Sequence, residues 1–165
     1  MSSVSTIVKV GISDLNIVKS PNTIRTSGLG SCVGAVIYDL QQQIAGLAHV
    51  MLPDSTQTKQ TPINLHKYAD TAIPELVELL LKNGARKFAL KAKIAGGAQM
   101  FSFGSNSEVM RVGPRNAEAV QKAIKAYQIP IVASDIGGNS GRTIEFSPDT
   151  GKLKIKTVNH GEQFI

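Results

Sequence analysis

Two apolar runs of strand length, Cys32-Val33-Gly34-Ala35-Val36-Ile37-Tyr38 and Ile44-Ala45-Gly46-Leu47-Ala48-His49-Val50-Met51-Leu52, are separated only by Asp39-Leu40-Gln41-Gln42-Gln43. That connection is short and largely polar, which reads as a β-hairpin. Folding the chain about Gln41 and Gln42 sets His49 roughly opposite Gly34. Side chains alternate along a strand, so Cys32 shares a face with Gly34. Cys32 and His49 are then diagonal neighbours, about 7–8 Å apart at the backbone. Side chains can close that gap.

Cys32 is the only cysteine in the 165 residues, so it makes no disulfide within the chain. It is either core filler, since free cysteine packs like a small hydrophobe, or a reactive thiol. Gly28-Leu29-Gly30-Ser31 before it is a backbone-exposing turn where a substrate can come close. Cys32 and His49 are therefore a candidate nucleophile and base. Thr26 offers a hydroxyl to accept the second N–H of the imidazole and fix its tautomer. Backbone N–H groups of the turn around Gly30, Ser31 and Cys32 are the candidate oxyanion donors. If His49 activates Cys32, the thiol is expected to be more acidic than the ordinary value of about 8.5. His66 and His160 have no Cys, Asp or Glu at metal-ligand spacing, so no metal is expected. Gly96-Gly97 and Gly137-Gly138 match no phosphate-binding fingerprint and read as tight turns.

A hydrophobic content of 42% predicts one globular domain over residues 1–165. No apolar run reaches the roughly 18–20 residues that span a bilayer, and the N-terminus lacks the basic head and apolar stretch of a signal peptide. With one unpaired cysteine, a reducing cytoplasm is the expected compartment. The net charge of +6 favours acidic partners. The basic residues are scattered rather than clustered, which argues against nucleic acid. Lys152, Lys154 and Lys156 alternate with Leu153 and Ile155. They read as the polar face of a strand, with a lysine-guarded sheet edge as one version of that reading.

Along the chain, a first strand is expected over about Thr6 to Ile12, then an extended or turn region through Pro21-Asn22. Apolar residues at helical spacing from Leu65 to Leu81 predict a helix, kinked or restarted at Pro74 and ended by Asn83-Gly84. Phe88 to Ala95 reads as a strand. Asn116 is expected to cap a second helix with Val120, Ala123, Ile124 and Tyr127 on its apolar face. Strands follow at Ile129 to Ser134, Thr143 to Phe146 and Leu153 to Val158. Strands outnumber helices and at least one hairpin is antiparallel, so the class is α+β. Phe101 and Phe103, beside small polar residues, read either as anchors of a core-attached loop or as a partner-docking patch.

Several stretches resemble the CheD family. They are Arg25-Thr26-Ser27-Gly28-Leu29-Gly30-Ser31-Cys32, Gly46-Leu47-Ala48-His49-Val50-Met51-Leu52-Pro53, Lys67-Tyr68-Ala69-Asp70, Lys93 to Phe101, Gly113-Pro114-Arg115-Asn116, and Gly137-Gly138-Asn139-Ser140-Gly141-Arg142. The resemblance runs in order over nearly the whole chain. It implies a chemoreceptor glutamine deamidase that works through a cysteine thioester, with Cys32, His49 and Thr26 as the catalytic residues. It implies a β-sandwich with outer helices (α/β/β/α), similar to the cytotoxic necrotizing factor toxins. The cysteine–histidine chemistry itself needs no metal or organic cofactor. The implied partners are the cytoplasmic helices of chemoreceptors and the phosphatase CheC, with the chain monomeric when free and not inserted in a membrane. The rival reading is a chemotaxis adaptor that binds CheC and receptors without catalysis.

Overall fold

A computed structural model describes residues 4–56, 58–100 and 111–165. Among these residues ten strands form two mixed five-stranded sheets. One sheet has the order β2-β5-β4-β6-β7: β2 is Leu15–Lys19, β4 Val33–Asp39, β5 Ile44–Val50, β6 Lys91–Gly96 and β7 Ile131–Ile136. The other has the order β1-β3-β8-β9-β10: β1 is Ile7–Lys9, β3 Thr23–Leu29, β8 Arg142–Ser147, β9 Lys152–Thr157 and β10 Gly161–Phe164. The described residues also include two helices, α1 (Ala69–Lys82) and α2 (Val112–Ala126).

The hairpin is the centre of its sheet. Every residue of β4 and β5 is buried, as continuous apolar runs covered on both faces require. Their alternation feeds two cores. Val33, Ala35, Ile37, Ile44, Ala48 and Val50 point to the side covered by α1 and α2. Val36, Tyr38, Ala45 and Leu47 point into the space between the sheets, against Ile24, Ile144, Phe146 and Leu153 of the facing sheet. Tyr38 and Phe146 meet across that space with ring centroids 4.8 Å apart. Below them the buried Asp39 accepts hydrogen bonds from the Arg86 backbone N–H and Nε (both 3.0 Å), which fastens the hairpin to the chain leaving α1.

The α+β class and the two-sheet sandwich agree with expectation. Both described helices lie on the same sheet and pack against each other. Among the described residues the outer face of the second sheet carries strand side chains such as Arg25, Glu145 and Lys154 and no helix.

Several details differ from expectation for identifiable reasons. The chain before the hairpin holds three strands rather than one, because β2 and β3 are partly polar segments whose order comes from pairing with β5 and β8. β9 is an interior strand, between β8 and β10. Its lysines therefore line the outer sheet face rather than guard an edge, and the exposed β10 takes the edge. Lys87–Ala89 form a 3-10 turn before β6, with Phe88 exposed. α1 starts at Ala69 and runs through Pro74 as one helix. Asn116 does not cap α2. The cap position is Arg111, and Asn116 lies buried inside the helix.

Candidate active site

The β4–β5 ladder pairs Gly34 with His49, the register read from the hairpin. His49 is fully buried and faces the space between the sheets. Gly34, opposite it, has no side chain, and a Cβ there would lie 2.6 Å from Ile144 Cδ1. Cys32, two residues before Gly34, is half-buried and packs on the same inter-sheet core.

Thr26 comes from the other sheet. Its hydroxyl lies 2.7 Å from His49 Nδ1 and donates to the Val10 carbonyl at 2.7 Å. A hydroxyl has one proton to give. With that proton on Val10, the oxygen must accept from the ring, so Nδ1 carries the imidazole proton. Nε2 is then a bare lone pair. It is buried and has no hydrogen-bond partner among the described residues. A bulge sets this geometry: β3 pairs Thr26 with Ile144 but Leu29 with Arg142, one residue out of step. Gly28, at φ +74°, sits in that irregularity, as a bulge of this kind requires. The bulge turns the chain from the Thr26 sheet toward Cys32.

The turn itself is held by its carbonyls. The Gly97 N–H donates to Cys32 O and the Ala98 N–H to Gly30 O, both at 2.9 Å. A Cβ at Gly96 would collide with the Cys32 carbonyl. On the other flank Asn116 Nδ2 donates to Ser31 O and to Met51 O, both at 2.9 Å. The Gly30 N–H is already given to Gly28 O at 3.1 Å. Among the described residues the N–H groups of Ser31 and Cys32 meet no acceptor. Phe101 and Phe103 lie outside the described residues. His66 is on the surface near Asp14 (3.4 Å) and His160 is exposed, both apart from this cluster. No group of three His, Cys, Asp or Glu among the described residues is placed to hold a metal ion, and no described helix is long and apolar enough to cross a membrane.

Burial opposes charge on both members of the pair. It pushes the Cys32 thiol up from its ordinary value and the His49 imidazole down to about 4. That direction is opposite to the acidic thiol expected from the sequence, because desolvation by burial is the cause acting on Cys32. At neutral pH the pair is thiol and neutral imidazole. A stability consequence follows. The unfolded chain takes a proton on this histidine near 6.5, while the folded one does so only near about 4. His49 contributes nothing to the pH dependence above that window. Within it, stability falls as pH falls, by about 3 kcal/mol in all. Urea midpoints measured between neutrality and about pH 4.5 should show this loss, and His49→Gln should flatten it.

Sequence reasoning missed two participants. The Val10 carbonyl, which fixes the direction of the threonine hydrogen bond, left no residue-type signal. Asn116 had one: a polar amide at a helix position that faces the core.

The chain is similar to known proteins over nearly its whole length. A family model described as CheD chemotactic sensory transduction matches residues 51–157, a stretch that begins after His49. Curated relatives extend over the site. A Halalkalibacterium halodurans protein called chemoreceptor glutamine deamidase CheD is 57% identical over 96% of this chain and 98% of its own length. A Bacillus subtilis protein of the same name is 54% identical over 96% of each chain. A Lachnoclostridium phytofermentans protein called probable chemoreceptor glutamine deamidase CheD is 52% identical over 96% of this chain and 98% of its own. Matches of this extent place the chain in the CheD family.

Proposed function

We propose that the chain is a protein-glutamine deamidase that converts glutamines of chemoreceptors to glutamate through a thioester on Cys32. The observation that carries this reading is the Val10–Thr26–His49 relay, which leaves Nε2 unprotonated on the face that Cys32 shares. A buried acceptor without a donor costs about 1–3 kcal/mol, and here it is the nitrogen the chemistry needs. The relatives' printed names supply the substrate class.

In the first step the thiol proton moves to Nε2 as Sγ attacks the carboxamide carbon. The pair is neutral at rest, so proton transfer accompanies attack rather than preceding it. The oxyanion is met by the N–H groups of Ser31 and Cys32. Collapse breaks the C–N bond, and the imidazolium returns the proton to the departing ammonia. Water then gives a proton to Nε2 and adds to the thioester. The C–S bond breaks, the thiol regains its proton, and glutamate is left. Thr26 holds the ring in its tautomer throughout. Docking of CheC through Phe101 and Phe103 belongs to the same proposal: the two aromatic residues among small polar ones suggest the patch, and the family resemblance supplies the partner.

The direct test is mass analysis of a receptor cytoplasmic fragment incubated with the protein: each converted glutamine gains about one dalton as NH₂ becomes OH. An unchanged fragment, with the protein folded and the thiol reduced, contradicts the reading. A second prediction addresses the relay. Thr26→Val leaves the Nδ1–H and the Val10 carbonyl both unpaired, which should cost about 1–3 kcal/mol each in stability. It should also lower kcat by about 10–100-fold through loss of ring orientation. Thr26→Ser should restore both, and comparison of kcat and melting temperature across the three proteins checks it.

A further inference from the structure

We infer that Asn116 is a positioning residue of the active site, setting the separation between the turn that carries Cys32 and the strand that carries His49. The inference rests on the proposed roles of those two residues. The β4–β5 ladder ends at the Val33–Val50 pair. Cys32 and Met51 lie one residue beyond that pair, where the two chains leave the ladder. Asn116 Nδ2 spans them there, donating at 2.9 Å to Ser31 O and at 2.9 Å to Met51 O. Ser31 is adjacent to the nucleophile in sequence, and Met51 is two residues from the base.

The chemistry of the neighbours fixes the orientation of the amide. Both groups it faces are carbonyl oxygens, so the NH₂ end must point at them and both its protons are used. The reversed rotamer would set Oδ1 against two acceptors. The cost of the chosen orientation is visible: Oδ1 is buried and has no hydrogen-bond partner among the described residues. Asn116 itself is fully buried within α2. A side chain serving only the packing of that position would be apolar, like the neighbouring Ala117 and Val120. A buried amide with one end committed and the other unpaired is retained for what the committed end holds.

On the opposite flank of the turn the Gly97 and Ala98 backbone N–H groups hold the Cys32 and Gly30 carbonyls. Asn116 adds a side-chain tie, from the turn to the histidine strand. Its amide protons go to Ser31 O and Met51 O, and His49 Nε2 has no hydrogen-bond partner among the described residues. Its effect passes through backbone position, where a displacement of one ångström is enough to cost about 100-fold in rate.

The test compares wild type, Asn116→Ala, Asn116→Asp and Cys32→Ala on a receptor cytoplasmic fragment, with kcat and KM separated and melting temperature recorded. Asn116→Ala should lower kcat by about 10–100-fold with KM within about threefold, at a temperature where the variant is fully folded. Asn116→Asp keeps the shape but turns an oxygen toward two carbonyls, and it donates only when protonated. Its kcat relative to wild type should therefore rise as pH falls from about 8 to about 6, whereas the Asn116→Ala ratio stays flat. A lowered melting temperature with unchanged kcat per folded molecule would overturn the inference, as would a rise in KM at constant kcat. Failure of both Asn116 variants to fold would also overturn it, because the amide would then hold the fold rather than the site. Full activity in Cys32→Ala would instead strike the reading of the site itself, and that arm separates the two failures.

Discussion

Cys32→Ala should lower conversion of receptor glutamines by about 10⁴-fold or more while leaving the protein folded. In the proposed mechanism the thiol supplies the covalent step, and Cys32 is the only cysteine in the sequence, so no second thiol can replace it. The structural loss is small because the side chain is half-buried at the end of the inter-sheet core, a change worth about 1 kcal/mol. Cys32→Ser should be nearly as inactive, since a hydroxyl is far less acidic and less nucleophilic than a thiol. Fragment mass and enzyme melting temperature together distinguish lost chemistry from lost fold. Conversion by the alanine variant at the wild-type rate would eliminate the cysteine mechanism.

His49→Ala should lower turnover by about 10²–10⁴-fold, the usual contribution of a positioned general base. The pH profile carries the finer test. A base must be unprotonated to act, and burial holds this imidazole down to about 4. Activity should therefore stay level as pH falls through about 6.5, where an ordinary histidine would begin to lose it. The thiol titrates in the opposite direction. Burial raises its pKa, so the alkylation midpoint of the free protein should lie above about 8.5. An alkylation midpoint well below that value in wild type, moved upward in His49→Ala, would mean a preformed thiolate–imidazolium pair and would contradict the neutral-pair account.

The hairpin that carries both residues was legible because full burial leaves a plain trace, two apolar runs with a polar turn, and a hairpin fixes its own register. That is why the Gly34–His49 pairing could be read in advance. Thr26 could be singled out by type, but its place could not be read. Its hydrogen bond crosses from one sheet to the other, and β3 is too polar and irregular to declare itself a strand. The upward push of burial on the thiol left no trace in the sequence, because a nearby histidine suggests ion pairing, whereas desolvation depends on how closely two sheets approach. The same limit hid the place of β9, whose lysine pattern is the same on an outward-facing interior strand as on an edge. Asn116 was misread as a cap because local signals describe the helix it sits in, not the carbonyls that the fold brings to it.

The central claim is that a glutamine side chain becomes bonded to Cys32. Acid quenching of a single turnover, followed by mass analysis of the protein after proteolysis, tests it most directly. The account predicts a transient adduct on the peptide containing Cys32, with a mass equal to enzyme peptide plus substrate peptide less one ammonia, absent in Cys32→Ala. Glutamate formation in the substrate with no such adduct at any quench time, even where hydrolysis is slowed in Thr26→Val, would contradict it.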